Sequence, residues 1–224
     1  MSRRSPAIAL LALAAGLGPA SAAWADQGVA AQFDAFAPSQ LDVLPGEAVT
    51  WTNVSTRTHT VNADAGEFAS GDLVAAATFS VRFDAPGAHP YHCMLHPGMV
   101  GEVDVRPVIL DALPPAAVPA GQHVTLSGRT ADPGEAVRVE RSTGGGPFDA
   151  VATAAPSGDG RWRVAVPATA TADYRAVSAA GTSETRRLLV SDRRVAIAAT
   201  RAGVRVRVTP SVPYGRIVLE RRER

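Results

Sequence analysis

Short apolar runs and runs of alternating apolar and polar residues follow one another along most of the chain, and turn residues separate them. No stretch keeps the 3.6-residue period of an amphipathic helix, whereas strict alternation is typical of half-buried strands. The pattern therefore predicts an all-β protein. In the N-terminal half, the predicted strands are 41–44, 48–52, 58–61, 78–83, 89–93 and 100–105.

Proline and glycine divide the chain further, because both residues interrupt strands. Residues 62–77, rich in Gly, Ala and Asp, are predicted to be irregular, with room for a helical turn. The proline-rich residues 107–119 are the candidate linker between a domain at 26–106 and a second one at 107–190. Strands at sandwich-like spacing are predicted in this second domain at 124–128, 136–140, 162–166, 174–178 and 186–190.

Residues 191–224 resemble the beginning of the second domain. A strand, a proline turn and an arginine-bearing strand follow His123, and the same order follows Gly203. This similarity predicts a partial third repeat or a C-terminal tail. Half a sandwich has an open edge and an uncovered apolar face, so either the chain is truncated there or these strands complete another structure.

The N-terminus has the pattern of an export signal. Arg3 and Arg4 precede an apolar stretch at 7–17, and two cleavage sites of the small-x-small type end at Ala22 and Ala25. We expect residues 1–25 to be a signal peptide and the mature protein to be periplasmic, secreted or at the cell surface. A transmembrane anchor is disfavoured because the stretch is shorter than the roughly 20 residues that span a bilayer.

Composition limits the classes of function. With 46% hydrophobic and 19% charged residues in 224, the chain is predicted to be a soluble globular protein, and a monomer is expected. Residues 26–106 contain ten acidic residues and three arginines, a net charge of −7, whereas residues 191–224 contain nine arginines and three acidic residues, a net of +6. No stretch combines clustered arginines with interleaved aromatics, so nucleic-acid binding is not predicted.

The strongest chemical signal is the spacing Cys-x2-His-x2-Met at Cys93, His96 and Met99. A single cysteine in an exported protein needs protection from oxidation, and a metal bond provides it. Thiolate, imidazole and thioether together suit copper that cycles between two oxidation states, whereas zinc has little use for methionine. So short a loop covers only part of an ion, and His59, after the Trp51 strand, is the best candidate for the fourth ligand.

The segments 43–53, 58–61 and 91–101 together resemble the cupredoxins, most closely the plastocyanin and amicyanin group. The resemblance covers about residues 28–106. It implies an eight-stranded Greek-key β-sandwich with one type 1 copper ion, held in a plane by His59, Cys93 and His96, with Met99 as a weak axial ligand. The second domain resembles immunoglobulin-like or fibronectin-type sandwiches only loosely, through Trp162 and Tyr174.

Other polar residues near the motif have secondary roles in this interpretation. His92 follows the opposite face of its strand and His89 begins it, so both are expected at the surface, and His123 is a strand or turn residue. Thr60 and Asn53 are candidates for hydrogen bonds that tune the site.

A copper ion with four protein ligands has no open position for a substrate, which favours one-electron transfer over enzymatic catalysis. The resemblance implies that redox partner proteins dock near His96, where Leu95, Pro97 and Gly98 help form an apolar patch. The negative charge of residues 26–106 steers a basic partner or simply keeps the protein soluble. The alternative functions are copper delivery and a structural role at the cell surface.

Overall fold

The computed structural model describes residues 27–192, 194–200 and 203–209. The predicted signal peptide and residues 210–224 lie outside these ranges. All twenty elements in the described ranges are strands, which confirms the all-β prediction. Within the same ranges, there is no helix with the length and apolar character needed to cross a membrane.

Residues 27–105, called here the N-terminal unit, form two four-stranded sheets. One sheet has the order β2-β1-β4-β6 and the other the order β3-β8-β7-β5. The strands are β1 (Gln27–Ala31), β2 (Phe36–Ala37), β3 (Gln40–Val43), β4 (Glu47–Asn53), β5 (Asn62–Ala63), β6 (Thr78–Phe83), β7 (Gly87–His92) and β8 (Val100–Val105).

The core of the N-terminal unit lies between the two sheets. Alternate residues of β4 are buried, as expected of a strand with one face on a core. Trp51 of the first sheet packs edge-on against Tyr91 of the second, with 5.2 Å between ring centroids. Both rings belong to one cluster of buried residues to which both sheets contribute. The unit is therefore a β-sandwich.

Two local predictions for this unit are wrong, and two further strands, β1 and β2, are not predicted at all. Residues 58–61 are not a strand, since His59 makes only an isolated bridge with Leu73 and the short strand β5 begins at Asn62. Residues 62–77 contain no helical turn but short strand and bridge pairings. The strands β1 and β2 had no clear alternation in the sequence, yet β1 pairs in parallel with β4 over five residues.

Residues 108–191, called here the C-terminal unit, have a core of their own. Its strands pair as β14-β11-β9, as β13-β12-β15-β16 with β17 also on β15, and as β10-β18. They are β9 (Val108–Leu110), β10 (Val118–Pro119), β11 (His123–Thr130), β12 (Val137–Ser142), β13 (Asp149–Ala154), β14 (Arg161–Pro167), β15 (Ala172–Ser178), β16 (Gly181–Thr182), β17 (Arg186–Leu188) and β18 (Val190–Ser191).

The prediction of a linker at 107–119 is wrong, because this segment contributes two strands. The three residues of β9 are buried, and β9 pairs with β11. The strand β10 pairs in parallel with β18. The prolines suggested a linker, but Val108 and Leu110, which lie between them, belong to the core of the C-terminal unit. The domain limits and the immunoglobulin-like assignment stay predictions.

The last two described strands form a hairpin. The strand β19 (Arg194–Thr200) pairs antiparallel with β20 (Gly203–Thr209). Among the described residues, no third strand joins this pair. The partial third repeat therefore stays a prediction, and its second arginine-bearing strand lies outside the described residues.

Candidate metal centre

The loop from Cys93 to Met99 is closed by its own backbone. The amide of His96 donates to the carbonyl of Cys93 at 3.2 Å, and the amide of Met99 donates to the carbonyl of His96 at 2.8 Å. The amide of Cys93 then donates to the carbonyl of Met99 at 2.9 Å. Two successive tight turns thus place Cys93, His96 and Met99 at their ends, which explains why two residues separate each of them from the next.

His59 reaches this loop from a different part of the chain. Its backbone exchanges two hydrogen bonds with Leu73, at 3.0 and 2.8 Å. The side-chain amide of Asn53 donates to the carbonyls of Leu73 and Arg57, at 2.8 and 2.7 Å. Asn53 therefore ties together the two segments that hold His59 in place.

Three of the four predicted ligands converge. The sulfur of Cys93 lies 3.4 Å from Nδ1 of His96 and 3.9 Å from Nδ1 of His59. All three donor atoms lie within 4.8 Å of one another, and they form the only such cluster of His, Cys, Asp or Glu among the described residues. Cys93 and His59 are buried and His96 is partly exposed. One metal ion can contact all three.

Met99, the fourth predicted ligand, follows His96 in the same loop. Its side chain is buried in the core of the N-terminal unit. It contrasts with Met94 of the same loop, whose exposed fraction is 67%. Only one of the two loop methionines is therefore available inside the protein. Ligation by Met99 stays a prediction.

The surroundings of His59 favour its neutral form. Burial lowers the pKa of His59, and the nearby His96 and Arg57 lower this pKa further. Neutral imidazole is the form that binds metal ions. The site therefore favours a protonation state that is ready for ligation.

Ser55 is a site residue that the sequence analysis missed. Its hydroxyl lies 2.8 Å from Nε2 of His59, 3.0 Å from Oδ1 of Asn53 and 3.1 Å from the amide of Arg57. A hydroxyl has one proton and two lone pairs, so it donates to Asn53 and accepts from Arg57 and from His59. This assignment places the His59 proton on Nε2 and leaves Nδ1 free toward Cys93.

The two predicted tuning residues both have contacts near the cluster. The amide of Thr60 donates to the sulfur of Cys93 at 3.3 Å, and the Thr60 hydroxyl accepts from the amide of Met94 at 2.9 Å. Asn53 does not contact the sulfur of Cys93 in this way; it contacts the segments that hold His59.

The remaining histidines of the N-terminal unit lie outside the cluster. Nδ1 of His92 is 2.6 Å from a carboxylate oxygen of Asp64, and Nδ1 of His89 is 3.1 Å from one of Glu67.

Comparison with known proteins finds relatives of the N-terminal unit. The profile of the copper-binding proteins of the plastocyanin/azurin family matches residues 26–106. Amicyanin-alpha of Methylorubrum extorquens is 37% identical over 76 residues, which cover 32% of this chain and 64% of that protein. Pea chloroplastic plastocyanin is 36% identical over 87 residues, covering 32% of this chain and 52% of that protein. The chain thus spans about half to two thirds of the length of these relatives.

Solved structures of similar proteins cover little more than a third of the chain. A purple cupredoxin from Nitrosopumilus maritimus is 26% identical, covers 36% of this chain and all of its own, and has a TM-score of 0.34. The reduced Cu(I) form of a proline-to-glycine mutant of amicyanin is 29% identical, covers 38% of this chain and 85% of its own, and has a TM-score of 0.35.

The N-terminal unit is a β-sandwich with a buried cysteine and two converging histidines, which together form a metal site. Residues 26–106 are similar to the copper-binding proteins of the plastocyanin/azurin family, and copper is the metal cofactor. The donors fit this metal, because a thiolate beside two imidazoles combines the soft and intermediate ligands that copper prefers.

Proposed function

We propose that the chain carries single electrons on one type 1 copper ion held by His59, Cys93, His96 and Met99. The observation that carries this proposal is the convergence of the donor atoms of His59, Cys93 and His96 within 4.8 Å. Copper supplies the one-electron redox change when it is bound. The protein residues hold the site: the turns of the 93–99 loop position two of the three clustered ligands, and Ser55 orients His59.

The same arrangement favours electron transfer over catalysis by the copper unit. Four protein ligands leave no position for a substrate, and catalytic metal sites keep one open. The Thr60 amide stabilises negative charge on the Cys93 sulfur, and such hydrogen bonds tune the redox potential of a metal centre. We therefore assign no enzymatic reaction to this unit.

Electrons enter and leave through His96 in this proposal. His96 is the partly exposed member of the cluster, and its loop neighbours Met94 and Leu95 are exposed apolar side chains. An apolar rim around an exposed ligand suits brief docking of a redox protein. The net charge of −7 on residues 26–106 favours a basic partner. The export pattern at residues 1–25 supports a location outside the cytoplasm.

Titration of the purified apo-protein with Cu(II) tests this proposal. We expect an intense blue thiolate-to-copper absorption band that saturates near one equivalent and disappears in Cys93→Ser. The two loop methionines provide a matched pair: Met99→Leu changes the band and the reduction potential, whereas Met94→Leu leaves both as in the wild type.

Voltammetry separates electron transfer from copper delivery. A reversible one-electron couple with copper retained in both oxidation states supports the carrier function. Saturation with copper but release of the ion on reduction favours delivery instead. If copper binds without the blue band, the proposed ligand set is wrong.

A further inference from the structure

The cluster of His59, Cys93 and His96, called here the copper cluster, lies at one end of the N-terminal sandwich. Charged side chains lie at the other end. The strand β8 begins directly after Met99 and ends at Val105, followed by Arg106. The distance along the strand from Val100 to Val105 is about 17 Å, because each residue of a strand adds about 3.3 Å. The neighbouring β3 runs parallel to β8, with Val43 opposite Val105, so its last residues reach the same far end.

A carboxylate is buried at this far end. The side chain of Glu47 has an exposed fraction of 0%, and one of its oxygens accepts a hydrogen bond from the amide of Leu44 at 2.8 Å. The other oxygen pairs with the guanidinium of Arg129, a residue of β11 in the C-terminal unit whose side chain is 14% exposed. The negative charge of Glu47 is therefore balanced by a positive charge of the C-terminal unit.

A second ion pair joins the units beside the first. Nη2 of Arg186, on β17, lies 2.8 Å from Oδ2 of Asp42, and Nε of Arg186 donates to the carbonyl of Leu110 at 3.0 Å. Arg106 adds a third charge, with Nε 3.5 Å from Oδ1 of Asp42. Burial raises the pKa of Asp42, and the two arginines act against this shift.

The covalent connection between the units is short and held on both sides. Only Arg106 and Pro107 separate β8 from β9. The amide of Arg106 donates to Val43 in the N-terminal unit at 2.9 Å, and the carbonyl of Pro107 accepts from Ala131 in the C-terminal unit at the same distance. The connection therefore has little freedom to act as a hinge.

Two apolar side chains at this end are also buried. Leu44 and Ile109 are buried, yet neither belongs to the core cluster of its own unit. Leu44 shares with Glu47 the turn before β4, and Ile109 is the middle residue of β9. Both stand at the end of their unit that carries the ion pairs.

We propose that this end of the N-terminal unit is an interaction surface for the C-terminal unit. The ion pairs Glu47–Arg129 and Asp42–Arg186 hold the two units as one body that unfolds cooperatively. The C-terminal unit leaves the copper end uncovered and has a fixed orientation relative to it. A buried pair fits this role because separation of the units leaves Glu47 and Arg129 without their partners.

Each core contains one tryptophan, Trp51 in the N-terminal unit and Trp162 in the C-terminal unit, which allows a direct test. The full chain is labelled with 5-fluorotryptophan, and the fluorine signals are assigned with Trp→Phe variants. Urea unfolding of the apo-protein is then followed at both sites. We expect the native signals of Trp51 and Trp162 in the wild type to disappear at the same urea concentration.

Removal of the buried pair should separate the two transitions. In Glu47→Gln/Arg129→Met, which removes both charges, we expect the midpoints to differ by at least about 0.5 M urea. Arg186→Met gives a second test, because Arg186 is one-third exposed and its loss leaves the buried pair intact; we expect a smaller separation there. The matched control is Arg187→Met, which breaks an exposed pair with Asp173 inside the C-terminal unit and should leave the midpoints together.

Two results would overturn the proposal. One is a difference between the Trp51 and Trp162 midpoints already present in the wild type. The other is coincident midpoints in the wild type and in both interface variants alike, because the ion pairs would then not be what joins the units.

Discussion

At the scale of single residues, the hydroxyl of Ser55 has a full set of partners. It contacts Asn53, Arg57 and His59 within a loop of seven residues, so its position is set by groups on both sides. Hydrogen bonds to the second nitrogen of a histidine ligand fix the tautomer and the ring orientation. In the proposed site, Ser55 would therefore act on copper through His59, without contacting the metal.

We expect Ser55→Ala to weaken copper binding by roughly 10-fold or more, because the orientation and tautomer of His59 are no longer fixed. The measurement is a competitive titration with a chelator of known affinity, together with the electron paramagnetic resonance spectrum of the Cu(II) protein. Thr56→Ala, which removes an exposed hydroxyl from the same loop, is the control. Equal affinities of the two variants would show that Ser55 has no positioning role.

At the scale of elements, the sequence predicts structure best where the geometry is local. The 93–99 loop is closed by bonds between its own residues, so the spacing of Cys93, His96 and Met99 is visible in the sequence. His59 was found as a candidate, but in a strand that does not exist, because its position depends on a bridge to Leu73, fourteen residues away. No sequence pattern marks Ser55, because its hydrogen bonds with Asn53, Arg57 and His59 form only in the folded loop.

The same contrast explains the errors outside the site. The strands β4, β6 and β8 alternate and were predicted within a residue or two of their observed ends. The strand β9 was assigned to a linker, because its three apolar residues between prolines become a strand only when β11 pairs with them. Such elements depend on tertiary contacts that no local pattern records.

Close packing of β8 against β7 supplies an element-scale prediction. Gly101 of β8 stands opposite Tyr91 of β7, and a Cβ atom at Gly101 would lie 2.4 Å from the Tyr91 ring. Tyr91 is buried in the core, where there is little room to move. We expect Gly101→Ala to lower the free energy of unfolding by about 1–3 kcal/mol, the usual cost of overpacking.

Urea unfolding measures this change, and Gly28→Ala provides the matched control. Gly28 also lies in a strand, β1, but a Cβ atom there meets nothing within 4 Å. Alanine in place of glycine restricts the unfolded chain, so we expect the control to be neutral or stabilised by up to about 1 kcal/mol. A Gly101→Ala protein as stable as this control would contradict the packing argument.

At the scale of the whole molecule, the N-terminal unit has a different role at each of its two ends. The copper cluster and its exposed apolar neighbours lie at one end of the N-terminal unit, and the ion pairs with the C-terminal unit lie at the other. A redox partner at His96 would therefore meet a surface that the C-terminal unit does not cover. Coupling between the ends would arise from shared stability, without a change of conformation.

This coupling predicts that copper stabilises the unit that does not bind it. A ligand that binds only the folded state adds stability in proportion to the logarithm of its concentration, about 2.7 kcal/mol at 100 times its dissociation constant. If both units unfold together, the urea midpoint reported by Trp162 should rise with copper by about 1 M. In Glu47→Gln/Arg129→Met the Trp51 midpoint should still rise, while the Trp162 midpoint should stay constant. Saturation of the blue band without any change at Trp162 in the wild type would contradict the coupling and leave the copper site intact, whereas absence of the band would contradict the site itself.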